Sequence, residues 1–251
     1  MAVGRTEGSR LRALVTGATG FVGAHVVRVL IQQGVEVRAL VRPTSNLQSL
    51  TGLPVKTVIG TLTDPSSLEQ AVQGMDFVFH VAADYRFWVP DPQQMHAVNV
   101  GGTVRLLEAA LRADVWRIVY TSSVVTVQSS SMHLGREQDF VSVQDCRSTY
   151  QLTKVLAEQA VWQLIQQGAP ITIVNPSTPI GALDRRPTPT GRLIVDFLNH
   201  RLPGFVDAAF NWIAVRDVAV GHWLAATRGR QSGADRGLMI SCLLRTYARR
   251  R

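Results

Sequence analysis

The sequence is poor in the residues that build metal and redox centres. Its two cysteines, Cys146 and Cys242, lie far apart and have neither CxxC nor metal-ligand spacing, so both read as free thiols and no metal site is expected. No apolar run approaches the roughly 18 residues of a membrane-spanning helix. The polar, basic start Met1–Arg12 has no apolar signal core, which makes a cytoplasmic location the expectation. Lysine is nearly missing: only Lys56 and Lys154 occur, against 24 arginines. The net charge of +8 is concentrated, with seven arginines and the single acid Asp235 between Arg228 and Arg251. Such a stretch can hold phosphate backbones non-specifically. Without an interleaved aromatic platform or recognition motif, no specific nucleic-acid partner is expected.

What is present is the composition of a folded chain, 46% hydrophobic and 18% charged, long enough for one α/β domain with a small lobe. Strand-length apolar runs at 11–16, 35–41, 54–60, 75–81, 115–121 and 171–175 alternate with helical patterns at 21–33, 65–73, 93–112 and 149–167. Asp64-Pro65 supplies an N-cap and a first-turn proline, and Gly34 and Gly168 close helices before strands. This alternation predicts an α/β fold, a doubly wound parallel Rossmann sheet covered on both faces. The proline-rich stretch 176–190 breaks the pattern. Beyond it, helices are expected at 191–200 and 217–228, with a short strand at 212–215. The expected organisation is a dinucleotide-binding domain over 11–176, a small, incomplete substrate lobe over 177–230, and a disordered basic tail over 231–251.

Gly17-Ala-Thr19-Gly20-Phe21-Val22-Gly23 follows the first strand and opens the first helix. A glycine triplet there permits a tight turn, close approach of a pyrophosphate, and close helix–strand packing, with the helix N-terminus facing the phosphates. The second strand ends in Val41-Arg42-Pro43, without the acid that commonly binds the ribose hydroxyls of NAD. Arg42 suits the 2′-phosphate of NADP, so NADP is expected as cofactor, with NAD as the alternative. A solvated loop arginine is the other reading of that residue.

Tyr150-Gln-Leu-Thr-Lys154 begins the helix after the fifth strand, which ends in Thr121-Ser122-Ser123. Residues i and i+4 share a helix face, so phenol and ammonium can point into one site. A lysine cation beside Tyr150 is expected to lower its pKa, so that it exchanges a proton near neutrality. Ser123, at the carboxyl end of a strand, can hydrogen-bond the same substrate oxygen.

Glycine loop, serine and Tyr-x-x-x-Lys in this order resemble the extended short-chain dehydrogenase/reductase family, over about residues 11–230. Also in keeping are His80-Val-Ala82-Ala83, Asn99-Val-Gly-Gly-Thr103 and Asn175-Pro176-Ser177-Thr-Pro-Ile-Gly181. The resemblance implies that Tyr150 is the acid/base, that Lys154 also holds the nicotinamide ribose, that Ser123 orients the substrate oxygen, and that Asn99 supports a proton relay. It further implies cofactor contacts from Gly17, Thr19, Gly20, Phe21, Val22, Gly23, Arg42, Leu62, Ala82, Ala83, Pro176 and Ser177. Relatives often dimerise through the helices corresponding to 93–112 and 149–167, so a homodimer by that route is implied. More narrowly, Ala82-Ala83-Asp84-Tyr85-Arg86-Phe87-Trp88 and the 175–192 stretch look like the bacterial hopanoid-associated sugar epimerases, relatives of dihydroflavonol 4-reductase.

Sugar dehydratases of the family carry an Asp-Glu pair after the serine position. Here Val124 and Val125 stand there and cannot transfer protons. The expected reaction is hydride transfer to or from a carbonyl or hydroxyl carbon of a small molecule, with sugar epimerisation as the alternative. An inactive cofactor-binding fragment is a third reading, because Thr61 replaces the family's adenine-binding acid, Ala214-Val-Arg216-Asp217 replaces its late His-Val-Asp-Asp, and 232–251 look like no part of the family's lobe. Among other candidates, His80 reads as a histidine satisfied by backbone rather than a phosphate ligand. Tyr85, Phe87 and Trp88 divide evenly between pocket and packing. Trp116, Trp162, Trp212 and Trp223 read as core, and Arg185, Arg186 and Arg192 as exposed loop charge rather than a substrate clamp.

Overall fold

The computed structural model describes residues 10–86, 89–128, 135–136, 139–185, 187–204 and 210–229. Phe87, Trp88, Arg186, Cys242 and the basic tail 231–251 lie outside them. Six strands run in parallel: β1 (Arg12–Thr16), β2 (Glu36–Val41), β3 (Val55–Ile59), β4 (Phe77–His80), β5 (Arg117–Thr121) and β6 (Ile171–Val174), in the order β3-β2-β1-β4-β5-β6. This is the doubly wound sheet anticipated from the alternating pattern. Its strand order reverses between β1 and β4, where ligands of such sheets bind.

Side chains alternate across the pleat, so each central strand feeds two cores. Leu14, Val78 and Ile118 face helices α2 (Pro65–Val72), α4 (Gly102–Arg112) and α5 (Thr149–Gln166), meeting Leu68, Leu106, Leu107 and Val161. Val15, Phe77, Phe79 and Val119 face the opposite layer, where α1 (Phe21–Gln32) brings Val26, Val27 and Leu30. That second layer is completed by α7 (Val215–Arg228), through Ala219, Ala225 and Ala226. Part of the region assigned from sequence to a lobe therefore packs as a helix of the Rossmann layer. Its small residues let it lie close on α1.

Local chemistry explains the element ends. The Asp64 carboxylate caps α2 by accepting from the Ser66 N–H, and Gly34 and Gly168 turn with φ of +76° and +94° after α1 and α5. Three features differ from the sequence reading. The single helix expected over 93–112 is α3 (Pro92–His96), a π turn (Ala97–Gly101) and α4, the extra residue of a π turn being a local device that periodicity does not reveal. A two-stranded parallel sheet pairs β7 (Thr178–Ile180) with β8 (Trp212–Ala214), and β7 was hidden by its proline. Trp116, expected in the core, is 41% exposed, with its ring resting on Phe77 at the sheet's end. The remaining helix, α6 (Pro189–Leu198), has no buried residue. No described helix is long and apolar enough to cross a membrane.

Candidate active site

The carboxyl ends of β1, β4, β5 and β6 lie side by side along one edge of the parallel sheet. At β1 the chain turns at Gly17 with φ +70°, a conformation L residues avoid. A Cβ there would lie 2.7 Å from the Ala82 nitrogen, and one on Gly23 would lie 2.1 Å from the Gly17 carbonyl oxygen. The N-cap of α1 is Gly20, and no side chain among the described residues caps that terminus. The first N–H groups of α1 are therefore left for an outside acceptor, as a pyrophosphate requires. This cradle, which a single methyl would fill, fits the dinucleotide the sequence implies.

Around it, Arg42 is exposed at the end of β2, its backbone closed on Ser45 by two hydrogen bonds (Arg42 N–H to Ser45 Oγ, 3.0 Å; Ser45 N–H to the Arg42 carbonyl, 2.9 Å). Its guanidinium is near enough to Asp84 to help hold that carboxyl below the usual range, after the larger effect of the Arg86 hydrogen bond. The Leu62 side chain is buried in the core between α2 and α4, so only its backbone can face a cofactor. Ala82 and Ala83 are half-buried, and the Ala82 N–H donates to Thr16 Oγ1 at 3.2 Å. Pro176 is buried with its carbonyl accepting from the Val124 N–H at 3.0 Å. Ser177 Oγ is buried with no hydrogen-bond partner among the described residues, a polar atom that a carboxamide could satisfy.

Ser123 caps a 3-10 turn (Val124–Thr126) by accepting from the Val125 N–H at 3.3 Å, which leaves its own proton to donate. Opposite stands the Tyr150 hydroxyl, in hydrogen-bonding contact with Ser123. The start of α5 is pinned to that turn: Ser148 caps the helix, and the Gln151 amide donates to the Val125 carbonyl at 2.9 Å while its oxygen accepts from the Arg147 N–H at 2.8 Å.

Lys154 is buried one helical turn on. Its ammonium donates to the Thr121 carbonyl (2.7 Å) and Tyr120 Oη (3.2 Å), and lies 4.8 Å from the Tyr120 ring centre. Two of its three donors are thus occupied, and one remains. Burial lowers its pKa to about 8. Here the sequence expectation for Tyr150 needs correcting. Its pKa lies above the ordinary value, because burial outweighs the Ser123 hydrogen bond and Lys154 is engaged by β5 rather than by the phenol.

Asn99 is brought in by the π turn, but as a clamp. Its Oδ1 accepts from the Asp84 N–H (2.7 Å), and its Nδ2 donates to the Asp84 carbonyl (2.8 Å) and Thr153 Oγ1 (3.0 Å). His80 bonds Thr16 Oγ1 (2.8 Å) and Thr103 Oγ1 (2.9 Å), so side chains rather than backbone satisfy it. Thr103 spends its proton on the Asn99 carbonyl (2.6 Å), so His80 Nε2 is the donor and Nδ1 accepts from Thr16. Burial drives the His80 pKa down to about 3. Tyr85 is exposed, and so is Arg192, which pairs with Asp196 at 3.1 Å.

Sequence reasoning passed over Tyr120, Ser122, His222 and Glu158. Glu158 follows Lys154 by four residues on the buried face of α5, and that i, i+4 spacing was the available signal.

The NAD dependent epimerase/dehydratase family model matches residues 13–240. Over 217 residues the chain is 45% identical to a candidate dihydroflavonol 4-reductase of Synechocystis sp., covering 86% of this chain and 63% of that protein. It is 30% identical to cinnamoyl-CoA reductase 1 of Petunia hybrida, covering 87% and 70% respectively. Among solved structures, gox2253 superposes with a TM-score of 0.84 at 44% identity, over 90% of this chain and 68% of that one. The corresponding values for PA4631, a nucleoside-diphosphate-sugar epimerase of Pseudomonas aeruginosa, are 0.77, 27%, 90% and 70%. The chain thus spans just under two thirds of the first of these relatives. With its sheet order, glycine cradle and Ser-Tyr-Lys cluster, it belongs to the NAD-dependent epimerase/dehydratase family, the extended short-chain dehydrogenases/reductases.

Proposed function

We propose that this protein is an NADP-linked oxidoreductase that transfers a hydride to or from a carbonyl or hydroxyl carbon of a small molecule. The reading rests on one observation: at the carboxyl end of β5 the Tyr150 phenol faces Ser123 while Lys154, one helical turn on, is seated on the Thr121 carbonyl, at the same end of the sheet as the uncapped start of α1. A dinucleotide whose pyrophosphate lay in that cradle would supply or accept the hydride through its nicotinamide. Tyr150, whose pKa burial holds above the ordinary phenol value, gives its proton to the substrate oxygen as reduction proceeds. Ser123 donates a second hydrogen bond to the same oxygen. The remaining donor of Lys154 is the group able to stabilise the phenolate so formed, or to hold a ribose hydroxyl. The names of similar proteins support a reductase, among them cinnamoyl-CoA reductases and a ketoreductase of Stigmatella aurantiaca. The preference for NADP rests on Arg42, where the end of β2 reads Leu40-Val41-Arg42-Pro43 without an acid.

The test is a titration with NADPH and NADH, followed by an NADPH-oxidation screen over carbonyl substrates. Stoichiometric NADPH consumption supports the proposal. Turnover of a nucleotide sugar with no net change in cofactor absorbance favours epimerisation, the activity named for the 27% identical structure, and sinks it.

A further inference from the structure

Glu158 is 2% exposed on the inner face of α5, where a carboxylate carries a desolvation cost. The helix is anchored on the same face by the apolar Val155, Ala157, Val161 and Ile165, so the carboxylate is held there by its polar partners. Oε2 accepts from Ser122 Oγ, from Thr126 Oγ1 at 2.8 Å and from Asn175 Nδ2 at 3.1 Å. Oε1 has no hydrogen-bond partner among the described residues. Ser122 Oγ also contacts the Tyr120 hydroxyl, which accepts from Lys154. The ammonium and the carboxylate, four residues apart on one helix, are thus joined by two buried hydroxyls, Tyr120 on β5 and Ser122 just beyond its end.

Among the described residues, the other groups around Lys154 bring no compensating charge. His80 on β4 is neutral, with both ring nitrogens bonded and a pKa near 3. On α7, His222 donates from Nδ1 to the Val218 carbonyl and accepts at Nε2 from Thr121 Oγ1, with its pKa lowered to about 4. Burial raises Tyr120 and Tyr150 above their ordinary range, so both stay neutral at pH 7. Glu158 is the carboxylate that opposes the effect of burial on Lys154.

We propose that Glu158 is the internal counter-charge of Lys154, coupled to it through Ser122 and Tyr120, keeping the ammonium charged and seated on Thr121 before any cofactor arrives. Glu158 is then a positioning residue for the Tyr150–Lys154 pair. Its catalytic meaning rests on the function proposed above, but its test does not. Only two lysines occur, so 13Cε-lysine labelling of the full chain gives two resonances, with exposed Lys56 as internal reference. In the cofactor-free protein Lys154 should titrate near 8. Glu158→Gln should lower that midpoint by roughly one pH unit, the low end for removing a nearby opposite charge. Ser122→Ala, which keeps the carboxylate but cuts the hydroxyl link, should lower it by less, with Lys56 unmoved in both. No resolvable shift in either variant overturns the proposal. Should Glu158→Gln not fold, Ser122→Ala alone decides. NADPH titration of the same samples separates the two claims. Failure of the wild type to bind NADPH removes the proposed function and leaves the Lys154 result standing, whereas normal binding with an unmoved Lys154 removes only the role of Glu158.

Discussion

The two sides of the sheet's carboxyl edge are made in opposite ways. On the β1–β2 side the site is shaped by missing side chains: Gly17, Gly20 and Gly23 leave room, and α1 begins without a side-chain cap. On the β4–β6 side it is built from buried polar side chains that satisfy one another, from His80 through Thr103 and Asn99 to Thr153, and from Lys154 through Tyr120 and Ser122 to Glu158. A backbone-built site depends on a few consecutive residues and tolerates nothing added. A side-chain-built site depends on contacts between distant elements, so its chemistry changes with whichever partner each group finds.

The sharpest way to break the first side is to add a methyl. Gly23→Ala would put a Cβ against the Gly17 carbonyl at 2.1 Å, backbone against backbone, with nothing flexible to yield. The expected cost is about 4 kcal/mol or more in urea unfolding, together with loss of NADPH binding. Gly34→Ala is the control: nothing lies within 4 Å and only the φ of +76° opposes it, so about 1–2 kcal/mol is expected, with binding intact. Equal effects in the two variants would mean that close approach is not what shapes the loop.

On the second side, Tyr150→Phe removes one oxygen and leaves the ring. Turnover should fall roughly 100- to 10,000-fold, with NADPH affinity and unfolding nearly unchanged. Turnover at the wild-type rate would end the assignment of Tyr150 as the acid.

The same contrast explains what was legible in the sequence. All six parallel strands, the caps at Asp64, Gly34 and Gly168, and the glycine cradle were readable, because each is dictated by a short stretch of chain. Tyr150, Lys154 and Ser123 were singled out by spacing and strand-end position, and in the structure Tyr150 faces Ser123 while Lys154 turns to Thr121 and Tyr120. Their electrostatics were not readable. Whether Lys154 faces Tyr150 or Tyr120 is decided by β5 packing on α5, and so the expected direction of the Tyr150 shift was reversed. The π turn that aims Asn99 leaves hydrophobic periodicity almost unaltered. Strand β7 exists only because β8, more than 30 residues later, pairs with it.

Two buried histidines give the second side a pH dependence that the first lacks. His80 and His222 have folded pKa values near 3 and 4, against 6.5 for the free group. Below pH 6.5 the unfolded chain binds protons that the folded chain refuses, so stability falls as pH drops from about 6.5 towards 3–4. Between pH 7 and 4.5 each histidine should withdraw roughly 2–3 kcal/mol from the free energy of unfolding. His222→Gln should therefore lose that much less than the wild type over this interval. Identical losses in urea titrations at the two pH values would show that His222 is not held neutral.

The smallest effect is expected where the first side does use a side chain. Arg42 is exposed, so its attraction for a 2′-phosphate acts through water and is screened by salt. Arg42→Ala should weaken NADPH binding only about tenfold and leave NADH untouched, with the difference shrinking as ionic strength rises. Asp84 sharpens this further. Its carboxylate, tied to Arg86 at 2.9 Å, sits close enough to Arg42 to offset part of that charge. Asp84→Asn should accordingly shift the preference towards NADPH, opposite in sign to Arg42→Ala. If both variants moved the two cofactors together, the guanidinium would be a solvated loop charge, and cofactor choice on this side would be left to the backbone alone.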